Sequence, residues 1–386
     1  MLVYSAGSVE VERLVRMADE SGQNNFLFSF ANDGARQCAR YFCRQPQRQL
    51  VIDSGAFSVW NRNERISLQH YISFCKEIQD IAKCPVSFVS LDKIPGSRGD
   101  GVNPTTEQSE EACKEGWENY QQMLAAGIKA IPTFHEFDDF KWLFLMLEEA
   151  EYIAVSPRKS GVSQEIKMEW LGTVYAAVGL DTKVHGLGIA GSAAMESFPF
   201  YSVDSRTWIH CSKGTFRYFD GRRIVSLSPD QWQAPSEEHI WDHGTDAIEE
   251  ARREYRLPGP GGNYHFMMRA LDADARLQRF LTRLWNKRGV HQSQIPDAID
   301  TSYHLDLSDI LYKEACESGS WRSVAERRRM DSQYVQWAVN LGRETAEWQA
   351  YSRGDIPLEL LADRLGWHLW NEQLSTREFY SPRPGA

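Results

Sequence analysis

The sequence predicts an α/β fold, a (β/α)8 TIM-type barrel with a helical C-terminal extension, and three observations carry that expectation. Short, near-continuous apolar runs of strand length recur at residues 26–30, 50–53, 87–92, 130–135, 152–157, 184–189 and 198–204. Runs of this kind suit strands covered on both faces. Between several of them lie stretches of helical period, such as residues 68–81, with Leu68, Tyr71, Ile72, Cys75 and Ile78 on one face, and residues 140–147. Alternation of the two signals implies a parallel sheet with crossover helices. Finally, residues of chemical reach stand where the runs end: Asp53, Asp92, His135, Ser156, Gly188 and Asp204. In a parallel barrel every strand C-terminus opens on one face, where such folds build their active sites. With an eighth strand expected at 208–212, closure into a barrel is favoured over an open sheet.

After Asp204 the rhythm changes. Residues 215–218 and 224–227 flank Asp220-Gly221 and read as a β-hairpin, since Asp-Gly supplies the positive φ angles of a tight turn. Leu257-Pro-Gly-Pro-Gly-Gly262 is a strong breaker, and beyond it residues 266–285, 308–318, 323–351 and 358–370 read as helices. The expected division is a barrel with its catalytic rim and hairpin over 1–230. A mainly helical region over 231–386 is expected to complete the barrel surface and contact nucleic acid.

Composition adds bounds. No run of about 18 apolar residues is present, so no membrane span is expected. Residues 1–20 carry alternating charges instead of a basic head and apolar core, which argues against a secretion signal. Seven cysteines without framework spacing suit a reducing cytoplasm. The net charge of −10 disfavours a polyanion as partner only if charge is spread evenly, and it is not. Residues 206–223 hold Arg206, Lys213, Arg217, Arg222 and Arg223 against Asp220 alone. Arg327, Arg328 and Arg329, with Arg322 nearby, form a second cluster. Either cluster by itself also describes an ordinary solvated face.

The rim residues admit both functional and structural readings. Asp53 ends an apolar strand, Ser54-Gly55 turns the chain, and Phe57 offers a flat ring on which a planar base could stack. Asp53 or Ser54 could equally cap the next helix. Asp204 closes the apolar run from Phe198, where a carboxylate must be paired, hydrogen-bonded or used. Arg206 could pair with it or hold a substrate phosphate. Two carboxylates on one rim suffice for exchange at a glycosidic bond, one attacking the anomeric carbon and one moving protons. Asp92 can accept from the paired donors of a guanine-like edge, or simply bind Lys93. His135 is either a structural hydrogen-bond donor or part of the pocket. Gly186 and Gly188, too sparse for a phosphate loop, leave room for a base against the backbone.

Taken together these segments resemble the tRNA-guanine transglycosylase superfamily over about residues 25–220. Asp-Ser-Gly-Ala-Phe-Ser at 53–58 is similar to the family's Asp-Ser-Gly-Gly-Phe-Gln motif, and Gly-x-Gly at 186–188 followed by Val-Asp-Ser at 203–205 to its nucleophile segment. The resemblance implies Asp53 as acid/base and Asp204 as nucleophile. It further implies Asp92 as reader of the guanine edge and Phe57 as cover over the base, with Ser54, His135, Ser156, Gly186 and Gly188 lining the pocket. The family's Cys-x-Cys-x-x-Cys zinc site is not recognisable, and His239-x3-His243 has no evident cysteine partners, so no metal or other cofactor is expected. A glutamine that helps to read the base in the tRNA enzymes is replaced around Thr133-Phe134-His135. These departures resemble the branch that inserts 7-deazaguanines into DNA. The expected partners are therefore DNA, alternatively tRNA, a free 7-deazaguanine base and an accessory protein. A barrel hydrolase and a binding-only protein are the competing readings.

Overall fold

The computed structural model describes residues 1–287 apart from 61, 63, 96–103, 158–163, 179–181, 190, 258 and 260–262. The second arginine cluster and the helices expected at 308–318, 323–351 and 358–370 lie outside the described residues.

Nine parallel segments make one sheet: β1 Leu2–Ala6, β2 Asn25–Ser29, β3 Gln49–Asp53, β4 Val86–Val89, β5 Ala130–Ile131, β6 Thr133–His135, β7 Tyr152–Ser156, β8 Lys183–Gly186 and β9 Ser202–Ser205. Their order is β5-β4-β3-β2-β1-β9-β8-β7-β6. The two end segments are consecutive in the chain and separated only by Pro132. Proline has no N–H for the ladder, so the strand is interrupted there without ending. On either side the ladder continues, with Ser90 N donating to the Ile131 carbonyl and Ala154 N to that of Pro132, both at 2.8 Å. The sheet thus closes on itself as an eight-stranded α/β barrel.

Helices alternate with the strands: α1 Val11–Ser21, α2 Asp33–Phe42, α3 Ala56–Trp60, α4 Leu68–Ile81, α5 Thr106–Ala125, α6 Phe140–Glu149, α7 Gln164–Val178, α8 Ser192–Ser197 and α9 Thr207–His210. Their boundaries follow from side chains. Asn32, Ser67 and Thr105 cap α2, α4 and α5 by accepting from backbone N–H groups three residues on. The expected helical face of α4 is buried, with Tyr71, Ile72, Cys75 and Ile78 against the sheet. The hairpin forms as β10 Phe216–Phe219 and β11 Ile224–Leu227, antiparallel about a turn where Gly221 has φ 107°. Four helices follow: α10 Pro229–Gln233, α11 Glu237–His243, α12 Thr245–Tyr255 and α13 Tyr264–Lys287. No helix among the described residues is long and apolar enough to cross a membrane.

One strand differs from expectation. Residues 208–212 fall in α9 and in a 3-10 turn, Cys211–Lys213, and the remaining barrel strand is β1 at the start of the chain. Trp208 is fully buried and its indole N–H donates to the Ala6 carbonyl at 2.9 Å, so its apolar character serves the outside of β1 and not a strand.

A buried polar tie closes the far side. Arg217 of β10 donates to Asp274 of α13 at 2.9 Å, and Ser5 of β1 donates to the other Asp274 oxygen at 2.7 Å. Both charged side chains are at most 5% exposed. Replacing Arg217 by Ala leaves a carboxylate buried without its cation, a change that costs about 3–5 kcal/mol. Denaturant unfolding of Arg217→Ala should show a loss of that size, whereas Lys213→Ala on the exposed surface should stay within about 0.5 kcal/mol of the parent.

Candidate functional site

The strand register sets the height of each rim residue. Stepping from pair to pair around the sheet returns to β1 displaced by about eight residues, so points at one level shift by about one residue per strand. Asp204 pairs with Tyr4, and β1 and β2 in turn carry that position to Gln49 of β3. With the stagger added, Asp204 stands level with Ile52, and Asp53 is the next residue up. Paired residues share a face of the sheet. Tyr4, Ala6, Leu27, Val51 and Val89 pack together inside the barrel. Asp204 therefore points inward with Leu27, Val89 and Ala154 in one layer, and Asp53 points inward one layer above, about 3 Å higher along the axis. Three strand steps separate them around the wall, about 14 Å at the backbone across the bore.

Asp204 is nearly buried. Its Oδ1 accepts from the Gly188 N–H at 2.7 Å, and His185 Nε2 stands 3.4 Å from the same oxygen. Gly188, with φ 65°, turns its N–H onto the carboxylate in a conformation other residues rarely adopt. Asp53 is half-buried at the mouth of β3.

Asp92 follows β4 and is held from two sides. His135 Nε2 lies 2.9 Å from Asp92 Oδ2, and the Ser54 hydroxyl donates to Oδ1 at 3.4 Å. The other His135 nitrogen, Nδ1, lies 3.2 Å from Asp138 Oδ2, which also accepts from the His135 backbone N–H at 2.7 Å. Burial resists charging this imidazole, but Asp138 and Asp92 outweigh it and push its pKa up to about 10. His135 is thus a cation clamped between two carboxylates. Both of its ring nitrogens are occupied, so it acts on Asp92 and not on a ligand. Ser54 is fully buried and works the same way, besides capping Ala56 N at 3.3 Å.

The expected glycine roles change. A side chain at Gly55 (φ 85°) would meet Ala31 and Ser29 at 2.4 Å, so the chain's own β2 end requires glycine there. At Gly186 it would meet Ile189 at 2.7 Å and Phe200 at 3.0 Å, away from the bore. Of the pair, Gly188 serves the site, through its N–H.

Ser156 is half-buried at the end of β7, in register with His135. Phe57 is 43% exposed at the mouth and stacks on Trp60, with centroids 6.0 Å apart. Among the basic residues, Arg206 and Lys213 are exposed. Arg222 pairs with Glu196 at 2.7 Å and Arg223 with Asp220 at 3.5 Å, both arginines keeping most of their surface in solvent. Arg217 does not join them, being buried on Asp274. Among the described residues no three His, Cys, Asp or Glu side chains are grouped to hold a metal ion. His239 accepts from the Ser236 N–H at the start of α11.

Sequence reasoning passed over Asp138 and the inward column beneath Asp204: His185, Ser202 and Tyr152. Two-residue alternation carries that column, since Ser202 and Asp204 share a face and His185 pairs with Ser202.

No family model and no curated protein matches this chain. A solved structure titled "Native KDPGal structure" aligns over 66% of this chain and 96% of its own, with 12% identity and a TM-score of 0.32. At that score the alignment carries no argument, and the barrel assignment rests on the sheet itself.

The clamp has a pH signature. A histidine whose folded pKa exceeds the unfolded value near 6.5 stabilises the fold fully below that value and loses the contribution as pH rises through the folded pKa. Unfolding free energy should therefore decline between about pH 6.5 and about pH 10. Urea titrations of His135→Gln should lack that decline, and an equal decline in the variant would remove the imidazolium assignment.

Proposed function

We propose that this chain is a pentosyltransferase that exchanges guanine in DNA for a 7-deazaguanine base, 7-cyano-7-deazaguanine or a derivative, through a covalent aspartyl–nucleotide intermediate. One observation carries the reading: Asp53 and Asp204 point into one bore from successive layers, and Asp92, held by His135 and Ser54, stands beside the end of β3. The resemblance of residues 53–58 and 186–205 to the guanine transglycosylases supplies the substrate class.

In this reading the target nucleotide is flipped out of the duplex, at a cost of a few kcal/mol, and its base enters the bore. Asp204 attacks C1′ from below while Asp53 gives a proton to the departing guanine. The carbon–nitrogen bond breaks as the aspartyl ester forms. The incoming 7-deazaguanine loses its ring N9 proton to Asp53 and displaces Asp204, which restores both carboxyl groups. Two inversions give retention. Asp92 accepts from the N1–H and exocyclic amine of the base. Its orientation is held by His135 and Ser54, so its acceptor face is set before the base arrives. Phe57 offers a ring at the mouth on which the base can stack, a contact worth about 1–3 kcal/mol. Arg206 and Lys213, with the open sides of Arg222 and Arg223, lie outside the bore and are available to phosphates.

Trapping tests this. The enzyme is mixed with guanine-containing duplex DNA and denatured, and a mass equal to protein plus DNA strand less one guanine is sought. The adduct should form with the parent and vanish in Asp204→Asn. In Asp53→Asn its formation should slow by about 10²-fold or more, the usual scale of a lost proton-transfer group. An adduct with tRNA alone would move the substrate to RNA. Free guanine released without incorporation of an added 7-deazaguanine would make the chain a hydrolase, and no adduct with either nucleic acid would remove the proposal.

A further inference from the structure

We propose that His185 is a positioning residue for Asp204, donating its Nε2–H to the carboxylate so that it is held aimed up the bore. The assignment rests on the reading of Asp204 as the nucleophile. His185 is fully buried in β8, one layer below Asp204. Its Nε2 makes no hydrogen bond of good geometry among the described residues, yet it stands 3.4 Å from Asp204 Oδ1. A buried polar nitrogen facing a carboxylate this closely must resolve its polarity one way or the other.

The layer below decides which way. His185 Nδ1 is 2.5 Å from Ser202 Oγ, and the Tyr152 hydroxyl is 2.6 Å from the same oxygen. If Nδ1 carried the proton, the Nε2 lone pair would face the Asp204 carboxylate, an acceptor against an acceptor. If Ser202 donates to Nδ1 and Tyr152 donates to Ser202, each hydroxyl proton has an acceptor and Nε2–H points at Asp204. Burial holds the Tyr152 phenol protonated, which keeps it a donor. The column then runs from Tyr152 to Ser202, His185 and Asp204, each group donating to the next.

Other groups around Asp204 do not offer this hydrogen. Tyr4 of β1 is buried beside His185, ring edge to face at 6.1 Å, and burial keeps it neutral. Tyr201, which leads into β9, packs on Tyr152. Asp274 of α13 and Arg217 of β10 satisfy each other behind Ser5, on the other face of β1. Gly188 N–H is the second donor, from above. A carboxylate that accepts from two fixed donors is favoured in its charged form. As the ester forms and Oδ charge disperses, both bonds weaken; as the ester breaks they return.

The test separates this from the reaction itself. Aspartate carboxyls are labelled with carbon-13, the Asp204 resonance is identified by its loss in Asp204→Asn, and its titration is followed in the full chain without any nucleic acid. In His185→Phe, which keeps a ring but no donor, the midpoint should rise by about one pH unit or more. Adduct formation should slow by about tenfold or more, with the acid limb of its pH profile moved up to match. His185→Gln, whose amide N–H can reach the place of Nε2, should recover much of both effects. Ser202→Ala, which frees the tautomer, should move the midpoint in the same direction by less, and it decides the matter if His185→Phe does not fold. A midpoint equal to the parent's in the folded variants overturns the inference. Absence of any adduct in the parent would overturn the transglycosylase reading and leave the titration to judge His185 alone.

Discussion

Closure of the sheet is the constraint on which everything else rests. A parallel eight-stranded sheet closes only if its strands tilt, and tilt forces the register to slip by about a residue per strand. Pro132 sits at the seam. It costs one ladder hydrogen bond, and the neighbouring carbonyls at Ile131 and Pro132 still bind β4 and β7. Because the slip is uniform, residues distant in sequence come to fixed relative heights. Asp204 enters the bore as the top of one layer whose other members are apolar, and Asp53 caps the next. An open sheet would spread the same residues along an edge, with no wall opposite either acid.

Two histidines inside this wall do different work, and burial with partner choice explains the difference. His135 has a carboxylate on each ring nitrogen, so the charged form wins even though burial opposes it. His185 has a hydroxyl on one side and a single carboxylate at longer range on the other. The first imidazole is locked as a cation and immobilises Asp92. The second has Ser202 against Nδ1, which leaves Nε2 to face Asp204.

Much of this was legible in the sequence, and the failures have causes. Seven of the eight barrel strands announce themselves as apolar runs ending in a polar residue. The first, Leu-Val-Tyr-Ser-Ala, is as apolar as the others, but it ends on Ala6 and not on a residue of chemical reach. Trp208-Ile209 looks like strand material because a buried helical turn and a buried strand share composition when only a few residues are read. Asp53, Asp92 and Asp204 were visible because a carboxylate after an apolar run needs a reason. Asp138 was not, because its reason is a three-residue turn back to His135 that only coordinates reveal. Arg217 was counted with its charged neighbours, since nothing within reach of the hairpin signals that its partner lies 57 residues on, in α13.

The charge distribution gives the strongest argument about what can enter. Asp53 and Asp204 face the bore and Asp92 stands beside the end of β3, while Arg206 and Lys213 are exposed. A phosphate would lose its water and meet carboxylates on the way in, and burying an anion beside anions is among the costliest arrangements a protein can make. A neutral ring presenting N–H donors carries no such penalty and can donate to carboxylates. In the proposed reading, this contrast between acids at the bore and basic side chains outside it keeps the phosphates of a nucleotide on the surface while its base approaches the acids.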